Sequence, residues 1–303
     1  MERRSWTCTL VTQLCLCVAL YLAFNIGEPQ QQQPWRRLPR HDLVFVTVRG
    51  GARPVRAQTH LLKQIENVAR IYGARFVVNI SELGEEEDPL SRNASQLLKS
   101  PSIPWYTTKA SKGQEMDSCF KEHVEIDNGP TLNIVGLDTG SLQDLLLTES
   151  INGSGSVQNW LGRTLGAASG NWSVVVGFHP IIHCEDEKGQ QFESNRASET
   201  LVHQNFVKFG VNAYLSTNGR CSNHNSRDGV DYIGIARTHD HSDESVVPNR
   251  KLGLGLDLQQ QKGMTDTFLL HRVTSLEMIT YSISSAGKVL NRVVTQQKGK
   301  AAI

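Results

Sequence analysis

"DLVFVTVRGGARPVRAQTHLLKQIENVARIYGARFVVNI", residues Asp42 to Ile80, decides the fold class. Asp42–Val48 is a run of β-branched and aromatic residues closed by Gly50-Gly51, which reads as a strand and its exit turn. From Ala57 to Tyr72 the apolar residues Leu61, Leu62, Ile65, Val68 and Tyr72 return at helical spacing. Arg75–Ile80 is strand-like again, so the stretch is one β-α-β unit. Downstream, Leu132–Leu137, Trp172–Gly177 and Asn212–Ser216 read as further strands, with helical stretches near Val157–Leu165 and Ala197–Phe209. The C-terminal part is different: "DTFLLHRV", "EMITYSIS" and "KVLNRVV" are joined by three-residue links and predict a hairpin series without helices. Alternating β-α units closed by a β-meander predict an α/β fold, a β-sandwich flanked by helices, over residues 42–296.

N-terminal to this region the chain changes character. Trp6–Ile26 carries no charge and is rich in Leu, Val, Ala, Cys and Phe. At about 1.5 Å per residue such a stretch matches the hydrocarbon thickness of a bilayer. It predicts a transmembrane signal anchor over residues 1–27, with a cleaved signal peptide as the rival; "YLAFNIGEP" offers no clean small-residue cleavage pattern. Residues 28–41, "EPQQQQPWRRLPRH", form a Pro/Gln-rich stalk, and 297–303 form a short tail. The bulk of the chain is then expected in the lumen of the secretory pathway or outside the cell. Sequons fit that compartment: Asn93, Asn152 and Asn171 are expected to carry glycans, Asn93 and Asn152 from loops, whereas Asn79 falls inside a strand. Cys8, Cys15 and Cys17 belong to the apolar segment. Cys119, Cys184 and Cys221 remain, enough for one disulfide whose pairing the sequence leaves open.

With 31 Lys+Arg against 30 Asp+Glu the chain has no charge excess to attract a nucleic acid. The acidic run Gly84–Pro89 reads as a solvated loop. The strand through Val211, Ala213 and Leu215 runs into a polar loop, "STNGRCSNH", at the kind of strand end where α/β proteins place ligands.

Seven words in register carry a family likeness: "FVTVRGG", "GARFVVNISE", "IPWYTT", "LDTGSL", "VVVGFHPI", "GVNAYLSTNGR" and "MITYSISSAGKVL". Between Asp42 and Val294 the chain resembles the small, tartrate-resistant type of purple acid phosphatase, within the calcineurin-like metallophosphoesterases. The resemblance implies an αββα sandwich with a dinuclear iron, zinc or manganese centre at the strand ends, where paired metals clamp the attacking and leaving oxygens of a phosphoester displacement. Followed residue by residue, it also implies that the centre is gone. The family's ligand positions fall on Val48, Glu82, Glu85, Ser111, Phe178, Asn218 and Arg220, and Lys112 stands at a substrate-contacting histidine. His179 is displaced from the ligand position by one residue. Val48 and Phe178 have no atom to offer a cation, so no metal cofactor is expected and the catalytic set is empty.

Other constellations are less supported. "THDHSDES" (Thr238–Ser245), with His179, His183 and Cys184, could supply four zinc ligands, but it follows a different strand and reads as a polar loop. Lys112 and Arg220, with Arg49 nearby, could hold an anion in place of metals. "NGSGSV" (Asn152–Val157) lacks the Lys-Ser/Thr of a phosphate loop. The expectation is a membrane-anchored, lumenal pseudo-phosphoesterase that acts by binding an unidentified protein or anionic ligand. The alternative is a diverged phosphoric ester hydrolase using Glu82 and Glu85.

Overall fold

The computed structural model describes residues 10–18, 42–97, 103–111, 118–126, 130–152, 156–166, 171–182, 193–217, 224–235 and 266–297. The chain divides into a unit Met1–Pro39 and a larger unit Arg40–Ile303. In the first unit, residues 10–18 are helical and expose Leu10, Val11, Leu14, Leu16 and Val18. No helix of the described residues is long and apolar enough to cross a membrane, and the rest of Trp6–Ile26 lies outside them.

In the second unit the expected β-α-β opening is present: β1 (Leu43–Arg49), α1 (Val55–Tyr72) and β2 (Val77–Ile80). Leu61, Leu62, Ile65, Val68 and Ala69 of α1 are buried, and Gly73 ends the helix at φ 65°, a conformation a side chain would resist. Next come α2 (Pro89–Leu97), β3 (Trp105–Thr107), β4 (Ser118–Glu125), β5 (Thr131–Leu137) and α3 (Thr139–Asn152). Then follow α4 (Ser156–Gly166), β6 (Trp172–Gly177), α5 (Glu193–Lys208), β7 (Ala213–Thr217), β8 (His224–Arg227) and β9 (Val230–Ile235). The meander β10 (Thr267–Val273), β11 (Glu277–Ser284) and β12 (Val289–Gln296) closes the unit.

Two six-stranded sheets result, in the orders β12-β11-β10-β1-β2-β3 and β4-β5-β6-β7-β9-β8. β1 is parallel to β2 and antiparallel to β10, while β5, β6, β7 and β9 run parallel. Leu43, Phe45, Phe76 and Val78 of the first sheet share one core with Trp172, Val174, Val176 and Leu215 of the second. On the outer side of the second sheet, Leu142, Leu161, Leu165, Val202 and Phe206 of α3, α4 and α5 form another core with Val135, Val175 and Tyr214. The architecture is therefore mixed α/β, two sheets flanked by helices, as the strand and helix order of the sequence predicts.

Two local expectations are corrected. Asp88, in the acidic run read as a solvated loop, is completely buried; only its glutamates Glu85, Glu86 and Glu87 are exposed. Asp88 Oδ1 accepts from the Leu90 and Gly51 amides, capping α2 and tying down the β1–α1 loop. Asn93 lies on α2, and Asn152 is the last residue of α3, so neither sits in a loop. Cys119 is a free thiol, which agrees with one of the three cysteines being left unpaired; Cys184 and Cys221 lie outside the described residues.

A buried polar chain runs inside the first sheet. His271 lies between Thr47 Oγ1 (2.9 Å from Nε2) and Thr280 Oγ1 (2.9 Å from Nδ1), and stacks on Phe45 at 4.3 Å. Burial pushes its pKa from 6.5 down to about 3, so the folded imidazole is neutral. Because the folded pKa is depressed, stability is fully present above pH 6.5 and falls as pH drops from there toward 3. At pH 5 the loss is about 2 kcal/mol. Urea unfolding at pH 7.5 and 5 should show this difference, reduced by that amount in His271→Gln; an unchanged acid slope in the variant would contradict it.

Candidate functional site

The carboxyl ends of β1, β2, β3, β5, β6 and β7 define the edge where the resemblance places a metal centre. A line of hydrogen bonds follows that edge. Gly50 N donates to Ile80 O at 2.8 Å, and Ser81 N donates to Thr108 Oγ1 at 3.0 Å, which itself donates to Ser81 O at 3.0 Å. Ala110 N donates to Glu82 O at 2.9 Å, and Ser111 N to Asp138 Oδ1 at 2.8 Å, which links the ends of β3 and β5. Thr139 Oγ1 lies 3.0 Å from His179 Nδ1, and Thr217 Oγ1 donates to Phe178 O at 2.7 Å. The polar groups of this rim are spent largely on one another.

Val48 lies within β1, not beyond it, in register with Asn79 of β2 and Phe268 of β10, and none of its surface is exposed. Phe178, just after β6, packs against the core shared by the two sheets, with its ring edge-on to His179 at 5.1 Å. Glu82 and Glu85 point outward and are exposed. Ser111 is half-buried, held through its backbone by Asp138. Lys112, Asn218 and Arg220 lie outside the described residues, as do His183, Cys184 and Thr238–Ser245. His224, at the end of the polar loop, opens β8 and faces Asp231 Oδ1 at 3.2 Å.

Of the described positions that the resemblance assigns to ligands, Glu82, Ser111 and Phe178 bond through their backbones to Ala110, Asp138 and Thr217 respectively and not to one another. Glu85 is exposed, and Val48 lies within the β1 ladder. No group of three or more His, Cys, Asp or Glu that could hold a metal ion occurs among the described residues. Hard or borderline cations require oxygen, nitrogen or sulfur donors, and Val48 and Phe178 provide none. The described residues do not fit a dinuclear centre, and no hydrolytic step is derived through one.

Asp138, Arg53 and Cys119, none of them a predicted site residue, organise this edge. Asp138 is fully buried at the end of β5. Its Oδ1 accepts from Ser111 N, Gly140 N (3.2 Å) and Ser141 N (3.2 Å), so it caps α3 while holding the β3–β4 loop. Its Oδ2 has no hydrogen-bond partner, but Lys109 Nζ lies 3.7 Å away, within ion-pair reach. Gly140 is required beside it, since a Cβ there would lie 2.0 Å from Ser111 O. Arg53 folds back along the loop after β1, donating to Arg49 O at 2.6 Å and Gly51 O at 3.2 Å, with Asp266 Oδ2 3.2 Å from its Nε. Cys119 Sγ accepts from Lys109 N at 3.3 Å, and burial pushes its pKa up to about 11, so at neutral pH it is an inert thiol. Asp88 before Pro89 and Asp138 before Thr139 are cap-type residues, a helix-start signal present in the sequence. The reach of Arg53 and the burial of Cys119 leave no trace in the sequence.

No protein-family model matches the chain, and no curated protein matches it. Among solved structures it is similar in fold to GAP50, the anchor in the inner membrane complex of Plasmodium. The TM-score is 0.55 at 13% identity, over 86% of this chain and 90% of that one. PhoD aligns with a TM-score of 0.49 at 10% identity, over 87% of this chain and 71% of PhoD. Vps29 of Entamoeba histolytica complexed with zinc aligns with a TM-score of 0.38 at 10% identity, over 84% of this chain and 100% of Vps29. At these identities the likeness is one of fold alone: two sheets flanked by helices.

Proposed function

We propose that this protein is a pseudo-phosphoesterase: a binding protein on a metallophosphoesterase-like frame, related by descent to purple acid phosphatases and without their dinuclear chemistry. The observation that carries the reading is Val48, a fully buried core residue at a position where the family needs a carboxylate. A metal site would require a charged donor in that place, and an apolar side chain packed beside Phe268 and Asn79 excludes one without local rebuilding. Phe178, turned into the core, supports the same reading.

The N-terminal apolar segment is proposed to hold the protein in a membrane, with the folded unit lumenal or extracellular. The fold likeness to a protein that is a membrane-complex anchor supports such a use of the frame. Lys112 and Arg220 remain the proposed anion-binding pair, and the ligand is an anionic molecule or a protein.

Turnover tests the reading. Purified protein given iron, zinc or manganese should hydrolyse an activated phosphate monoester no faster than the metal alone. Metal-dependent turnover that disappears in Glu82→Ala would restore the hydrolase. Alkaline carbonate extraction of the full chain should leave it in the membrane pellet; release into the supernatant would remove the anchor.

A further inference from the structure

We propose that Asn79 is a glycosylation site of the unfolded chain alone, so that sugar transfer at Asn79 and formation of the native sheet exclude one another. The proposal rests on the lumenal placement given above. Asn79-Ile80-Ser81 is a complete sequon, but it lies in β2, a strand hydrogen-bonded on both sides, to β1 and to β3. Asn79 is completely buried. Its amide nitrogen Nδ2 already donates to Asp88 Oδ2 and, at 2.8 Å, to Ser91 Oγ.

Transfer would form a bond between Nδ2 and the anomeric carbon of an oligosaccharide carried on a lipid diphosphate. The bond from that carbon to the diphosphate oxygen breaks, and one amide proton leaves with the lipid diphosphate. The product has one N–H where the fold uses two, so either Asp88 or Ser91 loses its donor. Space is the harder limit. Even a single Cβ on Gly50 would lie 2.4 Å from Asp88 Oδ2 and 2.9 Å from Asn79 Oδ1, so the pocket around this amide has no room for a sugar ring. Asn171, exposed at the bend before β6, has no such restriction. A chain reached by the transferase before β2 pairs would therefore carry a glycan that bars β2 from its place between β1 and β3.

The test translates the full chain into transfer-competent microsomes and separates protease-resistant from protease-sensitive material. Occupancy is mapped by amidase release, which leaves Asp where a glycan stood. The resistant fraction should carry sugar at Asn171 and none at Asn79, and Asn79-linked sugar should be confined to the sensitive fraction. Ser81→Ala removes the sequon and should raise the resistant share severalfold in microsomes, with no gain in a bacterial cytosol that lacks the transferase. Sugar on Asn79 in resistant protein would overturn the proposal. So would a bare Asn79 in both fractions while Asn171 is modified, or a Ser81→Ala gain that is absent in microsomes or equal in bacteria. If Asn93, Asn152 and Asn171 are bare as well, the lumenal placement itself is wrong and the proposal falls with it.

Discussion

Val48→Asp, which introduces the residue type that the proposed kinship implies for this position, should destabilise the folded unit by about 3–5 kcal/mol, and adding metal should not rescue it. The new carboxylate would enter a fully buried site one residue from the end of β1, across from Phe268 and Asn79. An uncompensated buried charge typically costs that much. A domain of ordinary stability, about 5–15 kcal/mol, would lose a large share of its margin. Val48→Ala separates charge from packing; losing two buried methyl groups should cost about 2 kcal/mol. Denaturant unfolding with and without zinc, iron or manganese reads both variants. A Val48→Asp protein of wild-type stability, or one whose midpoint rises steeply with metal, would mean that a metal centre can assemble at this edge.

The second large effect is expected at Asp138. Asp138→Ala removes the acceptor shared by the Ser111, Gly140 and Ser141 amides, uncapping α3 and releasing the β3–β4 loop. A lost helix cap costs about 1 kcal/mol, and hydrogen bonds to a charged acceptor contribute about 1.5–3 kcal/mol each, without full additivity. The sum should be about 3–4 kcal/mol. Asp138→Asn keeps a neutral Oδ1 acceptor for the three amides but loses their charge assistance and the ion pair with partly exposed Lys109, so a smaller loss than in Asp138→Ala is expected. Equal stability of Asp138→Ala and wild type would show that the loop is held by something else.

The two ends of the fold were legible because the chain there obeys one simple period at a time. Leu61, Leu62, Ile65 and Val68 mark a single helix face, and the meander strands carry their own short links. Less legible were the elements that tertiary pairing imposes on polar sequence. β4, "SCFKEHVE", is an edge strand with charged residues on its outward side, and β8, "HNSR", exists because the Asp228-Gly229 turn, both residues at positive φ, folds it onto β9. α3 begins with "TGSLQDLLLTES", whose leucines follow no single stripe. The sequence resemblance assigns ligand positions to named residues, but it does not say where those side chains go. Val48 becoming core, and Asp88 and Asp138 becoming internal caps, depend on which strands meet at that edge.

The most direct measurement is the metal content of the purified protein after expression with iron, zinc and manganese supplied together. Val48 and Phe178 contribute no donor atoms at the carboxyl edge, so elemental analysis should find far less than one transition-metal ion per chain. Two ions per chain that survive dialysis against a chelator would contradict the account.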